Sequence, residues 1–293
     1  MLKKFYLNKE KILKKSQEFF SNSNSQTIKI GCELEFFLLE ENSAKPAAPE
    51  LVDEFILQLK KFYDVEKERG ASQIEIKTAF TSDLAELCSD LENIKKHVTQ
   101  LAKAKNLIAS FAAQPFADDC GSALQFNISL HDESDKNIFL SDDDLLKNCA
   151  ASLLIATDAM MIFLSPNHED YQRFDAELNK KLFQKGKFPA PINLSFGSDN
   201  RTCAIRIPAL TKEKPGKRLE YRPASASADP WLCISAILLA LCQSKKATFE
   251  QIFGNAFEAQ YNLKTLCKNL SQAEKKFWHE ENSLRKKMEE FNE

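Results

Sequence analysis

The first stretch of the sequence whose residues could do chemistry carries two glutamates two positions apart. Glu33 and Glu35 lie within residues 31–39, a run rich in strand-forming residues. Because successive side chains of a strand point to opposite faces, both carboxylates point the same way. Two like charges on one face repel each other and lose hydration, which is tolerable where the face is solvated or a cation lies between them. The pair alone leaves both possibilities open.

Later predicted strands show the same alternation, with one apolar face and one face of Glu, Arg, Gln, Asn or Ser. The polar positions are Gln73 and Glu75 in 73–79; Gln125, Asn127 and Ser129 in 122–130; Arg206 in 203–208; and Arg218, Glu220 and Arg222 in 218–222. Lysine is nearly absent from these positions, whereas an ordinary solvated face usually carries it. If the strands form one sheet, we expect its polar face to gather the carboxylates beside the arginines.

Carboxylates and arginines around one cavity suggest phosphoryl transfer. Clustered carboxylates suit hard cations such as Mg²⁺, and arginine binds phosphate or carboxylate through two parallel hydrogen bonds. These are the groups that phosphoryl transfer from ATP requires. The alternative interpretation is a solvated sheet face without a site.

The elements that must position these residues alternate irregularly rather than as strict βαβ units. The periodicity of apolar residues predicts helices over 3–20, 49–62, 82–106, 141–164 and 167–184, and a helical region from 230 to the C-terminus. It predicts strands from about 28 and over 63–69, 73–79, 107–116, 122–130, 192–197, 203–208 and 218–222. At 141–144, Ser-Asp-Asp-Asp is typical of a helix start.

Composition excludes several classes of protein. Lys and Arg total 40 against 42 Asp and Glu, a net charge of −2, so no basic field recruits nucleic acid or acidic lipid. The 8 cysteines are scattered singly, which favours reduced, packed thiols. The N-terminus lacks a signal-like apolar run, and the apolar stretches are judged too short to span a membrane. We expect a cytoplasmic protein with no membrane partner.

Several segments, in order from about residue 29 to 245, resemble the catalytic domain of glutamine synthetase. Residues 31–36 resemble its Gly-x-Glu-x-Glu-Phe strand, and 68–75 its Glu-…-Gly-Gln-x-Glu segment. The other matching segments are 121–130 (Gly-Ser-Gly-x-His-x-His-x-Ser-Leu in the family), 171–173 (Tyr-Lys-Arg), 200–208 (Asn-Arg-Ser-…-Arg-Ile-Pro), 218–222 (Arg-x-Glu-x-Arg) and 228–232 (Ala-Asn-Pro-Tyr-Leu). The resemblance implies an α+β fold: a curved, mainly antiparallel sheet with helices packed on one face.

The same resemblance implies a set of roles. Glu35, Glu68 and Glu75 would hold the metal nearest the substrate, and Glu33, Glu220 and Gln125 the metal at the ATP phosphates. The metal would be Mg²⁺, two or three ions, with Mn²⁺ as a substitute, and ATP would be a co-substrate. Arg201, Arg206 and Arg218 would steady the transferred phosphate, and Ser129, Arg206 and Arg218 would contact the nucleotide. Arg173, Arg222 and Gly121 would bind the acid substrate.

The implied activity is that of an ATP-dependent carboxylate–amine ligase. A carboxylic acid, a γ-glutamyl or related amino acid, would form an acyl phosphate and then react with an amine. The alternative is a catalytically inactive relative that binds nucleotide or amino acid in a regulatory role, because Gln125 and Asn127 replace both family histidines and residues 188–191 offer no flap glutamate.

The N-terminal stretch bears on domains and assembly. Only 32 residues precede Glu33, too few for the family's N-terminal β-grasp domain, which completes a neighbouring subunit's site. We therefore expect a helical extension over 1–27, a catalytic domain with a helical C-terminal part over 28–293, and a monomer or dimer rather than a dodecamer.

Overall fold

A computed structural model describes residues 2–212, 216–242 and 249–293. Within these ranges the strands form one sheet in the order β2-β3-β1-β5-β8-β7-β6, with β4 beside β1. The strands are β1 (Thr27–Glu40), β2 (Asp64–Lys67), β3 (Gln73–Lys77), β4 (Leu107–Ser110), β5 (Leu124–His131), β6 (Phe196–Ser198), β7 (Ile205–Ile207) and β8 (Leu219–Tyr221). Only the β6–β7 pair among them is parallel.

Strand β1 is the centre of the sheet and pairs with β3, β4 and β5. Its apolar side chains, including Ile30, Leu34 and Phe36, are fully buried on the helix-covered side. The alternate positions place Glu33 and Glu35 on the opposite face. The two-residue period of this strand therefore separates the core from the polar face, as predicted.

The helices other than Ala176–Gln184 contribute side chains to the core on the apolar side of the sheet. In chain order the helices are α1 (Lys3–Leu7), α2 (Lys9–Ser23), α3 (Pro49–Leu59), α4 (Leu84–Lys103), α5 (Asp143–Leu164), α6 (Ala176–Gln184), α7 (Pro230–Cys242), α8 (Leu270–Phe277) and α9 (Ser283–Asn292). Short 3₁₀ turns span Ile138–Leu140, His168–Phe174 and Ala259–Tyr261. The predicted start of α5 is confirmed within two residues, because the Asp142 side chain accepts a hydrogen bond from the Leu145 N–H at 2.8 Å.

Several predicted elements differ in extent. Asn8 divides the N-terminal helix into two, and the first part of the predicted 167–184 helix is a 3₁₀ turn. Strand β4 ends at Ser110, before Pro115, which lacks the N–H that a ladder needs. Residues 249–269 are mostly irregular rather than helical; Leu194, for example, donates its N–H to Lys264 O at 2.8 Å. The predicted helix over 243–248 lies outside the described residues.

The core joins both ends of the chain. Helix α7 is buried along almost its whole length and packs against α2, α4, α5 and α9. The ring of Phe5 packs edge-on against Phe163 and Phe277, each at 5.9 Å between centroids. The Asn8 amide donates to the Asn292 side-chain oxygen at 3.1 Å. The N-terminal helices are therefore part of the main core.

Helix α5 is long and apolar enough to cross a membrane by length and composition, contrary to the expectation from sequence. In the fold, 72% of its apolar window is buried inside the protein. Burial of this kind identifies a core helix, since a membrane span would present an apolar surface outward.

Candidate functional site

Three cavities lie in a row along the polar face of the sheet. The large cavity, of about 410 Å³, includes Ser129, His131 and Phe80 in its lining. The middle cavity, of about 250 Å³, shares Glu33, Lys77 and Arg218 with it. The small cavity, of about 20 Å³, shares Glu68 and Arg201 with the middle one. Because they share lining residues, the three cavities adjoin one another, and together they make up the candidate site.

The sequence-predicted residues converge on this site. Glu33 and Arg218 line both the large and the middle cavity, and Ser129 lines the large cavity. Glu75 and Arg206 line the middle cavity, whereas Glu68 and Arg201 line both the middle and the small cavity. The remaining predicted residues line the small cavity: Glu35, Gly121, Gln125, Arg173 and Arg222. Glu220 lines none of them and is 1% exposed, lying beneath the middle of the site.

The acidic cluster, defined as Glu33, Glu35, Glu66, Glu68 and Glu75, is assembled by strand register. Glu35 faces Glu75 across β1 and β3, and Glu75 faces Glu66 across β3 and β2. Single carboxylate oxygens of Glu66, Glu68 and Glu75 lie within 4.8 Å of one another. Oxygen donors at this spacing fit a hard divalent cation.

The electrostatics of the cluster favour neutralisation. Burial, together with the charges of Glu33, Glu35 and Glu68, raises the pKa of Glu75 to about 10. Burial and the charge of Glu68 raise the pKa of Glu35 to about 7. Burial and Glu220 raise the pKa of Glu33. The carboxylates of Glu33, Glu35 and Glu75 therefore gain stability from a bound proton or an added positive charge.

Glu220 is in the opposite situation. Its two oxygens accept hydrogen bonds from Arg206 Nη1 at 2.7 Å and Arg222 Nη1 at 2.8 Å. Burial alone raises its pKa, but the Arg222 and Arg206 guanidinium groups outweigh burial and hold that pKa below its usual value. The chain's own arginines neutralise this carboxylate.

The two amides that replace family histidines are also fully engaged. Gln125 donates to Glu35 Oε1 at 2.7 Å and accepts from Arg222 Nη1 at 3.2 Å. Asn127 donates to Glu33 Oε1 at 3.2 Å and accepts from Arg218 Nε at 2.8 Å. A metal role for Gln125 stays a prediction, because its carbonyl oxygen already accepts a hydrogen bond from the positively charged Arg222.

The small cavity is lined by buried arginines with unused donors. Arg173 donates to the carbonyl oxygens of Pro223 and Arg222, yet its Nε, like that of Arg222, has no hydrogen-bond partner within the described ranges. A buried N–H without a partner is costly, and a carboxylate would satisfy it. Gly121 permits the close approach of Arg173, because an added Cβ would lie 2.6 Å from its Cγ.

A loop closes the small cavity from outside. The Phe188 ring lies between the guanidinium groups of Arg201 at 3.9 Å and Arg69 at 4.7 Å. The next carbonyl, that of Pro189, accepts from Arg222 Nη2 at 3.0 Å. The remaining space holds about one water molecule.

Sequence reasoning missed two lysines on the polar face. Lys29 and Lys77 both line the large cavity, although lysine is nearly absent from the strand positions named above from sequence. Lys77 pairs with Glu66 and with Glu75, the latter at 3.2 Å. The two-residue period that grouped Gln73 with Glu75 would have placed Lys77 beside them. Glu66 and Phe188 gave no such signal, because the β2–β3 register and the loop path were unknown.

The 8 cysteines are all unpaired, as predicted, and only Cys242 is not fully buried. Cys120 lies in the wall of the small cavity. Burial, followed by the charge of Asp119, raises the pKa of its thiol to about 12, so this sulfur is protonated at neutral pH.

Comparisons with known proteins point to one family. The family model for the glutamine synthetase catalytic domain matches residues 42–291. Gamma-glutamylputrescine synthetase of Escherichia coli K12 is 30% identical over 200 residues, 66% of this chain and 40% of that protein. A glutamine synthetase of Sulfolobus acidocaldarius is 29% identical over 198 residues, 65% of this chain and 39% of that one. The chain thus spans about 40% of the length of these curated relatives.

Solved structures give the same fold. The GmaS/ADP complex in its conformation 1 matches with a TM-score of 0.78 at 19% identity, covering 96% of this chain and 71% of that chain. GmaS without ligand matches equally well. The predicted α+β architecture, with its mainly antiparallel sheet, is confirmed.

Proposed function

The chain belongs to the glutamine synthetase catalytic-domain family, and from this premise we propose that it is an ATP-dependent ligase joining a carboxylic acid to an amine. The observation that carries the proposal is the juxtaposition, on one sheet face, of carboxylates with raised pKa values and arginines that reach into adjoining cavities. These two groups have complementary tasks, because the carboxylates attract divalent cations and the arginines attract phosphate and carboxylate.

The divalent cation belongs, in this proposal, to the acidic cluster. Glu35, Glu68 and Glu75 would hold one Mg²⁺ or Mn²⁺, and Glu33 would face a second cation nearer the nucleotide. The bound cation would neutralise charge on the phosphate oxygens during transfer. Glu220 and Gln125 would join the second cation less readily, because Arg206 and Arg222 already bind their oxygens.

The proposed reaction proceeds in two successive steps. The acid's carboxylate oxygen attacks the γ-phosphorus of ATP and displaces ADP, while Arg201, Arg206 and Arg218 stabilise the negative charge of the transferred group. The amine nitrogen next attacks the carbonyl carbon of the acyl phosphate, loses a proton and expels inorganic phosphate. The nucleotide itself would lie in the large cavity, beside Ser129.

The acid substrate is proposed to be a glutamate-like amino dicarboxylic acid. The unpartnered Nε–H groups of Arg173 and Arg222 support a carboxylate ligand in the small cavity. One similar protein is named for a γ-glutamyl product and a polyamine. Since the cavity now holds about one water, Phe188 and Pro189 must move for the acid to enter.

An oxygen-transfer experiment tests the reaction. The protein is incubated with MgATP, an acid carrying ¹⁸O in its carboxylates, and a panel of amines. We expect ADP release to require both substrates and one ¹⁸O atom to appear in the phosphate. Glu75→Gln should be inactive, and Glu54→Gln, which changes an exposed carboxylate paired with Lys105, should behave as the unchanged protein. ADP formation without transfer of ¹⁸O would contradict the acyl phosphate.

A second function, nucleotide binding without turnover, is favoured by the closed small cavity and by the two arginines on Glu220. The same experiment separates the two functions. Calorimetric binding of MgADP with no ADP release across the panel would favour the inactive relative.

A further inference from the structure

Lys77 lies among four acidic residues on the polar face. It is the last residue of β3, two positions after Glu75, and faces Glu33 on β1 and Asp64 on β2. Its ammonium forms ion pairs with Glu66 and, at 3.2 Å, with Glu75. Its side chain is only 18% exposed, so solvent screens these ion pairs less than it screens surface pairs.

Lys77 also stands at the boundary between two cavities. It lines both the large cavity and the middle cavity, which are otherwise joined only through Glu33 and Arg218. A molecule that extended from one cavity into the other would pass this ammonium. The four-carbon side chain of lysine allows its charge to move by rotation without a change in the strand.

We propose that Lys77 is an internal cation that competes with divalent metal ions for the Glu66 and Glu75 carboxylates and, when a metal displaces it, contacts the phosphates of a nucleotide in the middle cavity. This inference rests on the proposed function, and it adds a residue that binds the nucleotide.

The direction of both effects follows from charge. Without metal, the ammonium offsets part of the repulsion among the buried carboxylates. A divalent cation at the same carboxylates repels the ammonium and takes over that neutralisation. The phosphate chain of a nucleotide is then the strongest available anion next to Lys77. Removal of the lysine charge should therefore strengthen metal binding and weaken nucleotide binding.

The test uses Lys77→Met, which keeps an unbranched side chain of nearly the same length and removes the charge. Mn²⁺ binding is followed by electron paramagnetic resonance of the free ion without nucleotide, and ADP binding by calorimetry at saturating Mg²⁺. We expect Mn²⁺ to bind about tenfold more tightly and ADP about tenfold more weakly, since one charge near 4 Å is worth at least this much in a partly buried site. Tighter Mn²⁺ binding together with weaker ADP binding distinguishes a competing cation from a merely structural ion pair.

Lys105→Met is the matched control, because Lys105 has a similar exposure of 24% and an ion pair with Glu54, but lines neither cavity. It should change neither titration, and Lys77→Arg should stay nearer the unchanged protein than Lys77→Met does. If Lys77→Met fails to fold in a circular dichroism melt, Lys77→Gln replaces it with the same expectations. Unchanged or weaker Mn²⁺ binding, or unchanged ADP binding, would overturn the inference. An unchanged protein that binds neither probe would overturn the proposed function as well.

Discussion

Glutamate side chains have opposite electrostatic surroundings in two parts of the same sheet face. On β1 and β3, Glu35 and Glu75 face each other across the ladder, and burial among like charges raises the pKa of both. On β8, Glu220 lies opposite Arg206 of β7 and two residues before Arg222, and both arginines bind it. The first part has excess negative charge, and the second part neutralises its own.

The difference shows that residue type alone does not make a metal ligand. A carboxylate among carboxylates is stabilised by an added cation, whereas the charge of a carboxylate between two guanidinium groups is already offset. The β1–β3 part of the face is therefore the better candidate for a metal ion. The following changes to each part test this comparison.

The largest difference should appear in folding stability. Glu220→Ala leaves Arg206 and Arg222 without their buried partner and should lower the free energy of unfolding by about 3–5 kcal/mol. Glu75→Ala should lower it little or raise it, because the change removes a carboxyl group whose ionised form burial and neighbouring carboxylates disfavour. Urea unfolding of metal-free protein measures both. Equal losses for the two variants would show that the two parts do not differ in this way.

Divalent cations should stabilise the protein through the β1–β3 part alone. Mg²⁺ or Mn²⁺ at a hundred times its dissociation constant should add about 2.7 kcal/mol to the free energy of unfolding. Glu75→Gln should abolish this gain, whereas Glu54→Gln should keep it. Thermal melts with and without EDTA measure it, and a gain that persists in Glu75→Gln would move the metal away from this cluster.

The next largest effect should appear in the pH dependence of folding stability. Glu75 has a folded pKa of about 10 against an ordinary value of 4.5, so between these values the folded state holds the proton more firmly than the unfolded state does. Stability therefore falls as pH rises through this window, by up to about 1.4 kcal/mol per pH unit for one proton. Urea unfolding of metal-free protein from pH 5 to 9 should show a steeper fall for the unchanged protein than for Glu75→Gln. Parallel curves would contradict the raised pKa.

The smallest expected effect concerns the amide between the two parts. Gln125→His should tighten MgADP binding by about 1 kcal/mol, because an imidazole nitrogen offers the second cation a ligand. The carbonyl oxygen of Gln125 instead accepts a hydrogen bond from Arg222. Calorimetric titration measures the change. Identical binding curves would place the second cation away from residue 125.

Much of this site could be predicted from the two-residue period of the strands. The period put Glu33, Glu35, Glu75 and Gln125 on one face, and register then brought them together. The period could not predict which side chains pair. The pairing of Arg206 with Glu220 depends on the order of the strands in the sheet, and the sequence of neither strand determines that order. The position of Phe188 between two arginines depends on the path of a loop, for which the local sequence gives no periodic signal.

The edge-on packing of Phe5 against Phe163 and Phe277 has a consequence for biosynthesis. A chain emerging from the ribosome presents its first helices long before the residues that cover them exist. Until α8 and α9 have been made, the apolar sides of α1 and α2 have only part of their native partners, and such exposed surface invites chaperone binding or aggregation. Synthesis of α8 and α9, rather than of the first helices, therefore sets the earliest moment at which this core can close.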